Sequence, residues 1–271
     1  VKKYLPQYSE KIKHGFLPLY EIFGPESCID TPLDEEGGVG YAIGLAIGGM
    51  RPVYRLQFSS FGLAAAIQID LAGRYYQDLG GKIPMPVICF PHGGGPFIAH
   101  HREFEAPYFF QNPGLVIAGP YNPQGFYSML WAAIASDKPV LFFEDKNLYR
   151  AEYAKGKLVR GFPQKSIEDF GIEVVKEGKN VTVLTYGRLV YQTLDAIRLV
   201  EKENDKISVA LLALQVFAPL DEEKLISEFE KTGRLVIVQE EPEPGTSGLI
   251  SPVIWKKTAA SIAAPLRVVS P

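Results

Sequence analysis

Cysteine is nearly missing from this chain: 271 residues contain two, Cys28 and Cys89, far apart in the sequence. That spacing fits no zinc motif, so both are expected to be buried small hydrophobes in a reducing compartment. No uninterrupted apolar run reaches the ~20 residues of a membrane helix, and no secretory signal opens the chain. The expectation is a soluble, cytoplasmic protein without a membrane partner. Neither sign of charge dominates: 28 Lys and Arg face 31 Asp and Glu, a net charge of −3. No run of Lys or Arg offsets this balance, which argues against nucleic acid as a partner. There is no Gly-x-Ser-x-Gly elbow and no Gly-x-x-x-x-Gly-Lys loop, which removes the usual hydrolase nucleophile and phosphate cradle. Gly93-Gly94-Gly95 follows a strand-like run, but Pro96 stops any dinucleotide fingerprint. Of four histidines, His14, His92, His100 and His101, the last two are adjacent rather than i, i+4. They cannot readily share one metal from one helix face, and no metal ligands are assigned.

What is present reads as an ordinary globular composition, 46% hydrophobic and 22% charged, long enough for two domains. Strand-like and helical segments alternate. Arg51 to Phe58, Pro86 to Phe90, Gly114 to Ala118 and Pro139 to Phe143 read as apolar strands. A helix is expected over Phe61 to Leu79, with Leu63, Ile67, Asp70, Leu71 and Arg74 at helical spacing. A second runs from Pro123 to Ala135, capped by Asn122 with Pro at the favoured first position. Continuous apolar strands in β-α-β alternation indicate a parallel sheet covered on both faces. From Tyr149 to Lys179 glycine, proline and charge break the pattern, giving a linker with one hairpin. A second unit follows, with strands at Asn180–Thr185, Ile207–Leu212 and Arg234–Val238 and helices at Leu189–Glu201 and Asp221–Glu230. The expected domains are 1–150 and 176–271, joined by a linker at 151–175.

The sharpest local feature is Asp30-Thr31-Pro32-Leu33-Asp34-Glu35-Glu36-Gly37, directly before a run of small and apolar residues, Gly38 to Gly49. An acidic turn usually caps a helix in solvent. Here the helix behind it is apolar, so at least one acid is expected to be carried toward an interior surface, neutralised there or kept for chemistry.

These pieces recur in order along the chain. After the acidic turn come Arg51-Pro52-Val53, Gln57-Phe58-x-x-Phe61 and a helix with Gln68. His100, Glu105-Ala106, Asn112-Pro113-Gly114-Leu115 and Glu144-x-Lys146-x-Leu148-Tyr149-Arg150 follow. Thr185-Tyr186-Gly187, Pro219-Leu220-Asp221 and Lys231-Thr232-Gly233-Arg234 complete the series. Together they resemble the beta subunit of the thiamine diphosphate-dependent decarboxylase component of 2-oxo acid dehydrogenase complexes, of the pyruvate and branched-chain type. The resemblance extends from about Phe23 onward and implies an α/β fold of two domains. One is a pyrimidine-binding domain with a parallel sheet, the other a C-terminal transketolase-like α/β domain. It further implies an α2β2 heterotetramer, a lipoyl acyltransferase core as the acyl acceptor, and a small 2-oxo acid substrate. Thiamine diphosphate would be shared with the alpha chain, whose Gly-Asp-Gly motif supplies the Mg²⁺ site. No Gly-Asp-Gly occurs here.

The resemblance also assigns roles. Glu35 matches the acid that hydrogen-bonds the aminopyrimidine, favouring the imino form that takes the proton from the thiazolium carbon; a desolvated carboxyl suits this. Asp34 and Glu36 are left as solvated caps. Phe61 falls where an aromatic packs against the pyrimidine, Leu33 would add an apolar wall, and Phe58 reads as core. His100, in register through Glu105-Ala106, matches the histidine that donates a proton during acyl transfer; His101 and His92 are rival assignments. The chain departs from the pattern at His101-Arg102, usually Ser-Gln, at Cys89, often Arg, and at Ile67-Gln68, often Asp-Gln. The family's N-terminal Gly-Glu-Asp-Val strand and C-terminal tail are not visible, so a fragment or the ordered part of a longer chain is expected. Pro84-Met85-Pro86 and Ser136-Asp137-Lys138 do not match the family's monovalent-cation residues. The alternatives are a subunit of a related thiamine enzyme (acetoin dehydrogenase or split transketolase) or a non-catalytic assembly paralogue.

Overall fold

The structure is a computed structural model that describes residues 19–93, 103–149, 151–154, 159, 161 and 164–271. It divides into two compact units, Val1–Asp34 and Glu35–Pro271. In the first, helix α1 (Leu19–Phe23) is followed by a turn at Gly24, whose φ is +76° and whose carbonyl accepts from Cys28 N at 3.0 Å. Cys28 is only partly buried, against expectation, because it sits in the turn after α1 rather than within a strand or helix.

The second unit begins with α2 (Glu35–Ile47) and holds two five-stranded sheets. The first has the order β1 (Val53–Arg55), β2 (Val87–His92), β4 (Val140–Asp145), β3 (Val116–Ala118), β8 (Val216–Ala218). β1 to β4 are parallel, with Val87 opposite both Val53 and Val140. Every residue of β2 and β4 is buried, as their continuous apolar sequence requires. Alternate residues face opposite layers. Cys89, Val140 and Phe142 pack with Met129 and Ala133 of α4 (Pro123–Ala135). Ile88, Phe90, Leu141 and Phe143 face the side of α2 and α3 (Ala66–Asp78), among them Val39, Ile43, Ile69 and Ala72. The α4 start is as its sequence predicts: Gly125 N donates to Asn122 Oδ1 at 2.7 Å, behind Pro123.

The second sheet has the order β10 (Arg267–Val269), β9 (Leu235–Val238), β6 (Val181–Thr185), β7 (Val209–Leu214), β5 (Ile172–Lys176). Helices α5 (Leu189–Glu203), α6 (Glu222–Glu230) and α7 (Gly245–Thr258) accompany it.

Four expectations change. The helix expected from Phe61 opens as a 3-10 turn, Ser59–Leu63, and α3 starts only at Ala66. That turn is pressed on β2, since a Cβ on Gly62 would fall 2.1 Å from the Phe90 ring. Residues 172–176, expected in the linker, are an antiparallel edge strand on β7. β8 comes from the second half of the chain yet closes the first sheet antiparallel to β3, with Gly119 N donating to Gln215 O at 2.8 Å. α7 has no counterpart in the sequence pattern, because Gly248 and Pro252 hide its period. Among the described residues no helix is long and apolar enough to cross a membrane.

Candidate functional site

Parallel sheets gather side chains at the carboxyl ends of their strands, where the chain turns away and leaves a crevice. In the first sheet three of the four parallel strands end in polar residues, Arg55, His92 and Asp145, while β3 ends in Ala118.

After β1, the 3-10 turn carries Phe61, which is partly buried and meets Phe58 edge-on with ring centroids 5.7 Å apart. Lys146 Nζ lies 4.2 Å from the Phe58 centroid, tying this turn to the end of β4. Ser59 Oγ accepts from Glu105 N at 3.4 Å. Glu105 is buried, and burial together with the neighbouring Glu103 pushes its carboxyl up to about 7.

Glu35 stands in the first turn of α2, partly buried, while Asp34 and Glu36 on either side are exposed. The small residues behind it let α2 settle close to its neighbours. A Cβ on Gly38 would overlap Tyr54 Oη at 2.1 Å, and one on Gly40 would lie 3.3 Å from Gln68 Oε1. The helix is thereby held against β1 on one side and α3 on the other. Leu33 lies in the other compact unit and is 76% exposed. His100 and its rival His101 lie outside the described residues.

His92, the other rival, lies within the described residues. It ends β2 with 2% exposure, its ring 5.0 Å from Phe104 and 6.2 Å from Phe143. Burial lowers its pKa to about 4, so the imidazole is neutral. Phe104 itself stacks on Tyr186 at 4.6 Å and lies 5.2 Å from Phe217. These rings join the end of the first sheet to the turn after β6.

A polar network crosses the same junction. Arg188 Nη1 donates to Asp145 Oδ2 at 3.3 Å and to Glu240 Oε2 at 2.7 Å. Tyr186 Oη accepts from Glu240 N at 2.9 Å and donates to the Glu241 carboxylate. Burial raises the Glu240 pKa to about 7, with Arg188 working against it. On the other face of β4, Arg55 Nη2 donates to Glu144 Oε2 at 2.7 Å and to Tyr149 Oη at 2.6 Å. The Cys89 thiol lies beside that carboxylate, and burial and Glu144 push its pKa well up, which makes it an inert thiol.

The structure thus brings Phe58, Phe61, Lys146, Ser59 and Glu105 together at one end of the first sheet, and His92, Asp145, Arg188 and Glu240 beside its junction with the second. Sequence reasoning missed Arg188 and Glu240. Their only signal was one arginine and two acids within three residues of the ends of apolar strands, a pattern too common to single out.

Glu35, a partly buried carboxyl, and Phe61, a partly buried ring, are each of the chemical type that would hold and pack against an aminopyrimidine.

Comparison with known proteins adds the following. The transketolase pyrimidine-binding domain matches residues 9–152, and the transketolase C-terminal domain matches residues 171–270. The chain is 32% identical over 270 residues to a pyruvate dehydrogenase E1 component subunit beta of Rickettsia conorii, covering 97% of this chain and 79% of that one. It is 34% identical over 259 residues to a 2-oxoisovalerate dehydrogenase subunit beta of Bacillus subtilis, covering 92% and 76%. A solved structure described as a split gene transketolase, inactive beta4 tetramer, aligns with TM-score 0.67 at 20% identity, over 99% of this chain and 86% of that chain. That last likeness concerns the fold.

Proposed function

Because the chain belongs to the transketolase-type family that includes the beta subunits of pyruvate and 2-oxoisovalerate dehydrogenases, we propose that it is the beta subunit of a 2-oxo acid dehydrogenase. It acts with an alpha subunit on pyruvate or a branched-chain 2-oxo acid and passes the acyl group to a lipoyl acyltransferase core. Thiamine diphosphate, when bound, supplies the carbon that adds to the keto group and takes up the electrons freed by loss of CO₂.

Glu35 would hold a proton at the pyrimidine ring nitrogen, and Phe61 would pack against the ring face. Aromatic packing of this kind is worth about 0.5–1.5 kcal/mol beyond area burial. His100 would deliver a proton as the acyl group leaves for the lipoyl sulfur. The Mg²⁺ and diphosphate would be held by the alpha chain in an α2β2 assembly. Tyr41 and Ile47 on α2, and Ile67 and Tyr75 on α3, are large apolar side chains left exposed, a surface that a partner subunit would cover.

The observation that carries this reading is Glu35. In a run of three acids it is the one drawn out of solvent, in the first turn of a helix whose glycines let it lie against β1 and α3. The test is co-expression with an alpha subunit containing Gly-Asp-Gly, followed by measurement of CO₂ release with thiamine diphosphate and Mg²⁺. Pyruvate and branched-chain 2-oxo acids are compared as substrates. Glu35→Gln should lower the rate ~10²–10⁴-fold; an unchanged rate overturns the assignment.

A further inference from the structure

His92, Asp145 and Glu240 come from three separate segments, yet one ligating atom of each lies within 4.8 Å of those of the other two. His92 and Asp145 end adjacent strands of the first sheet and stand opposite each other in register. Glu240 follows β9 of the second sheet. The side chains of Asp145 and Glu240 are 1% and 9% exposed.

Two buried atoms here have no hydrogen-bond partner among the described residues: His92 Nδ1 and Glu240 Oε1. Leaving a buried polar atom unsatisfied costs about 1–3 kcal/mol. Buried groups of this sort are normally matched by protein, water or an ion. Each of these atoms can offer a lone pair, His92 Nδ1 in the imidazole tautomer protonated at Nε2 and Glu240 Oε1 in the ionised carboxyl. In those forms both call for something electron-poor between them. Arg188 does not supply it, because its Nη1 is engaged with the other oxygen of Glu240 and with Asp145.

We propose that His92 Nδ1, Glu240 Oε1 and Asp145 form a binding site for one divalent transition-metal ion of the zinc class, which clasps the two sheets together at their junction. One imidazole and two carboxylates form a nitrogen and oxygen ligand set suited to such an ion. Ligand bonds of about 2.0–2.2 Å require the three groups to close by small side-chain rotations. Asp145 Oδ1 accepts from Asn147 N at 2.9 Å and Asn147 Nδ2 at 3.0 Å, and Oδ2 accepts from Arg188 N at 3.1 Å. The fourth bond, from Arg188 Nη1, is the longest at 3.3 Å and is the one the ion would replace. Arg188 would then orient Glu240 from behind, as partners of metal-bound carboxylates do. Gly93 keeps the site open: its φ is +65°, and a Cβ there would lie 2.8 Å from Asp145 Oδ1 and 3.2 Å from Arg188 Nη1. This site is independent of the decarboxylase reading, which assigns its proton-donating histidine to His100 and gives Asp145 and Glu240 no part.

The test uses the purified chain, stripped with chelator and dialysed against ZnCl₂ without thiamine diphosphate, with retained zinc counted by mass spectrometry. One equivalent per chain is expected, together with a raised melting temperature. His92→Leu and Glu240→Gln should each weaken zinc at least ~10-fold and abolish the thermal shift. Co²⁺ in place of zinc should give a visible ligand-field spectrum that both variants lose. If His92→Leu does not fold, Glu240→Gln, which keeps shape and volume, decides. Failure to retain zinc, or equal retention by the folded variants, overturns the proposal.

Discussion

The same substitution, Gly→Ala, should have opposite effects at two helical positions, and the structure sets the sign of each. In an exposed helix interior, alanine is better than glycine by about 1 kcal/mol, because glycine gives up more backbone freedom on folding. Gly44, exposed on α2, has nothing within 4 Å of the place its Cβ would take. Gly44→Ala should therefore stabilise the isolated chain by about 1 kcal/mol. Gly73, buried on α3, is different. Its Cβ would fall 2.2 Å from Pro113 O and 3.2 Å from Leu115 Cδ2, where ordinary contact begins at 3.4 Å. The obstructing atom is backbone, held by a turn in which Gly114 has φ +78° and would itself put a Cβ 2.4 Å from Gly73 O. Asn112 Nδ2 also anchors this turn to Asp70 Oδ1 at 2.9 Å. Neither side can yield by a rotamer change, so the overpacking cost of about 1–3 kcal/mol falls at its upper end. After the helical gain of about 1 kcal/mol, Gly73→Ala should lose about 1–2 kcal/mol. Urea denaturation of the two variants and the parent chain measures the difference, expected to be about 2–3 kcal/mol between the variants. If both move stability the same way, the close approach of α3 to the 112–114 turn is not what the structure portrays.

Phe104→Ala removes a ring that touches Phe143, Tyr186 and Phe217 and should cost about 3–5 kcal/mol in the same assay; a loss below about 1 kcal/mol would contradict a packed junction there. Arg55→Met leaves Glu144, 5% exposed, without its cation. Because Arg55 is half exposed and Tyr149 still bonds the carboxylate, the loss should be about 1–3 kcal/mol, and adding Glu144→Gln should recover most of it. Burial alone would raise the pKa of Glu228, but Lys224 Nζ at 2.8 Å and Lys231 Nζ at 2.5 Å bring it below its ordinary value of 4.5. A depressed carboxyl contributes stability above its unfolded pKa and loses it as pH falls through the folded one. Glu228→Gln should therefore lower the urea midpoint at neutral pH and flatten the acid decline below pH 4.5; an unchanged acid limb would rule out this pair of ion pairs as a cause.

Much was readable locally. The N-cap at Asn122, the Pro at the start of α4, the all-apolar β2 and β4, and the acidic start of α2 each follow from residues within a few positions of one another. Periodicity and capping act over one or two turns, so sequence alone determined the α/β alternation and the parallel strands, and placed an acidic turn before an apolar helix, while the choice of Glu35 among the three acids came from the family resemblance. Tertiary structure decided what depends on residues far apart. It sent β8 back to the edge of β3, turned part of the linker into an edge strand, and set Gly73 against Pro113. It also joined His92 and Asp145 to Glu240, across about half the chain. No local rule encodes such meetings, because their free energy appears only when both sheets are assembled and water has left the space between them.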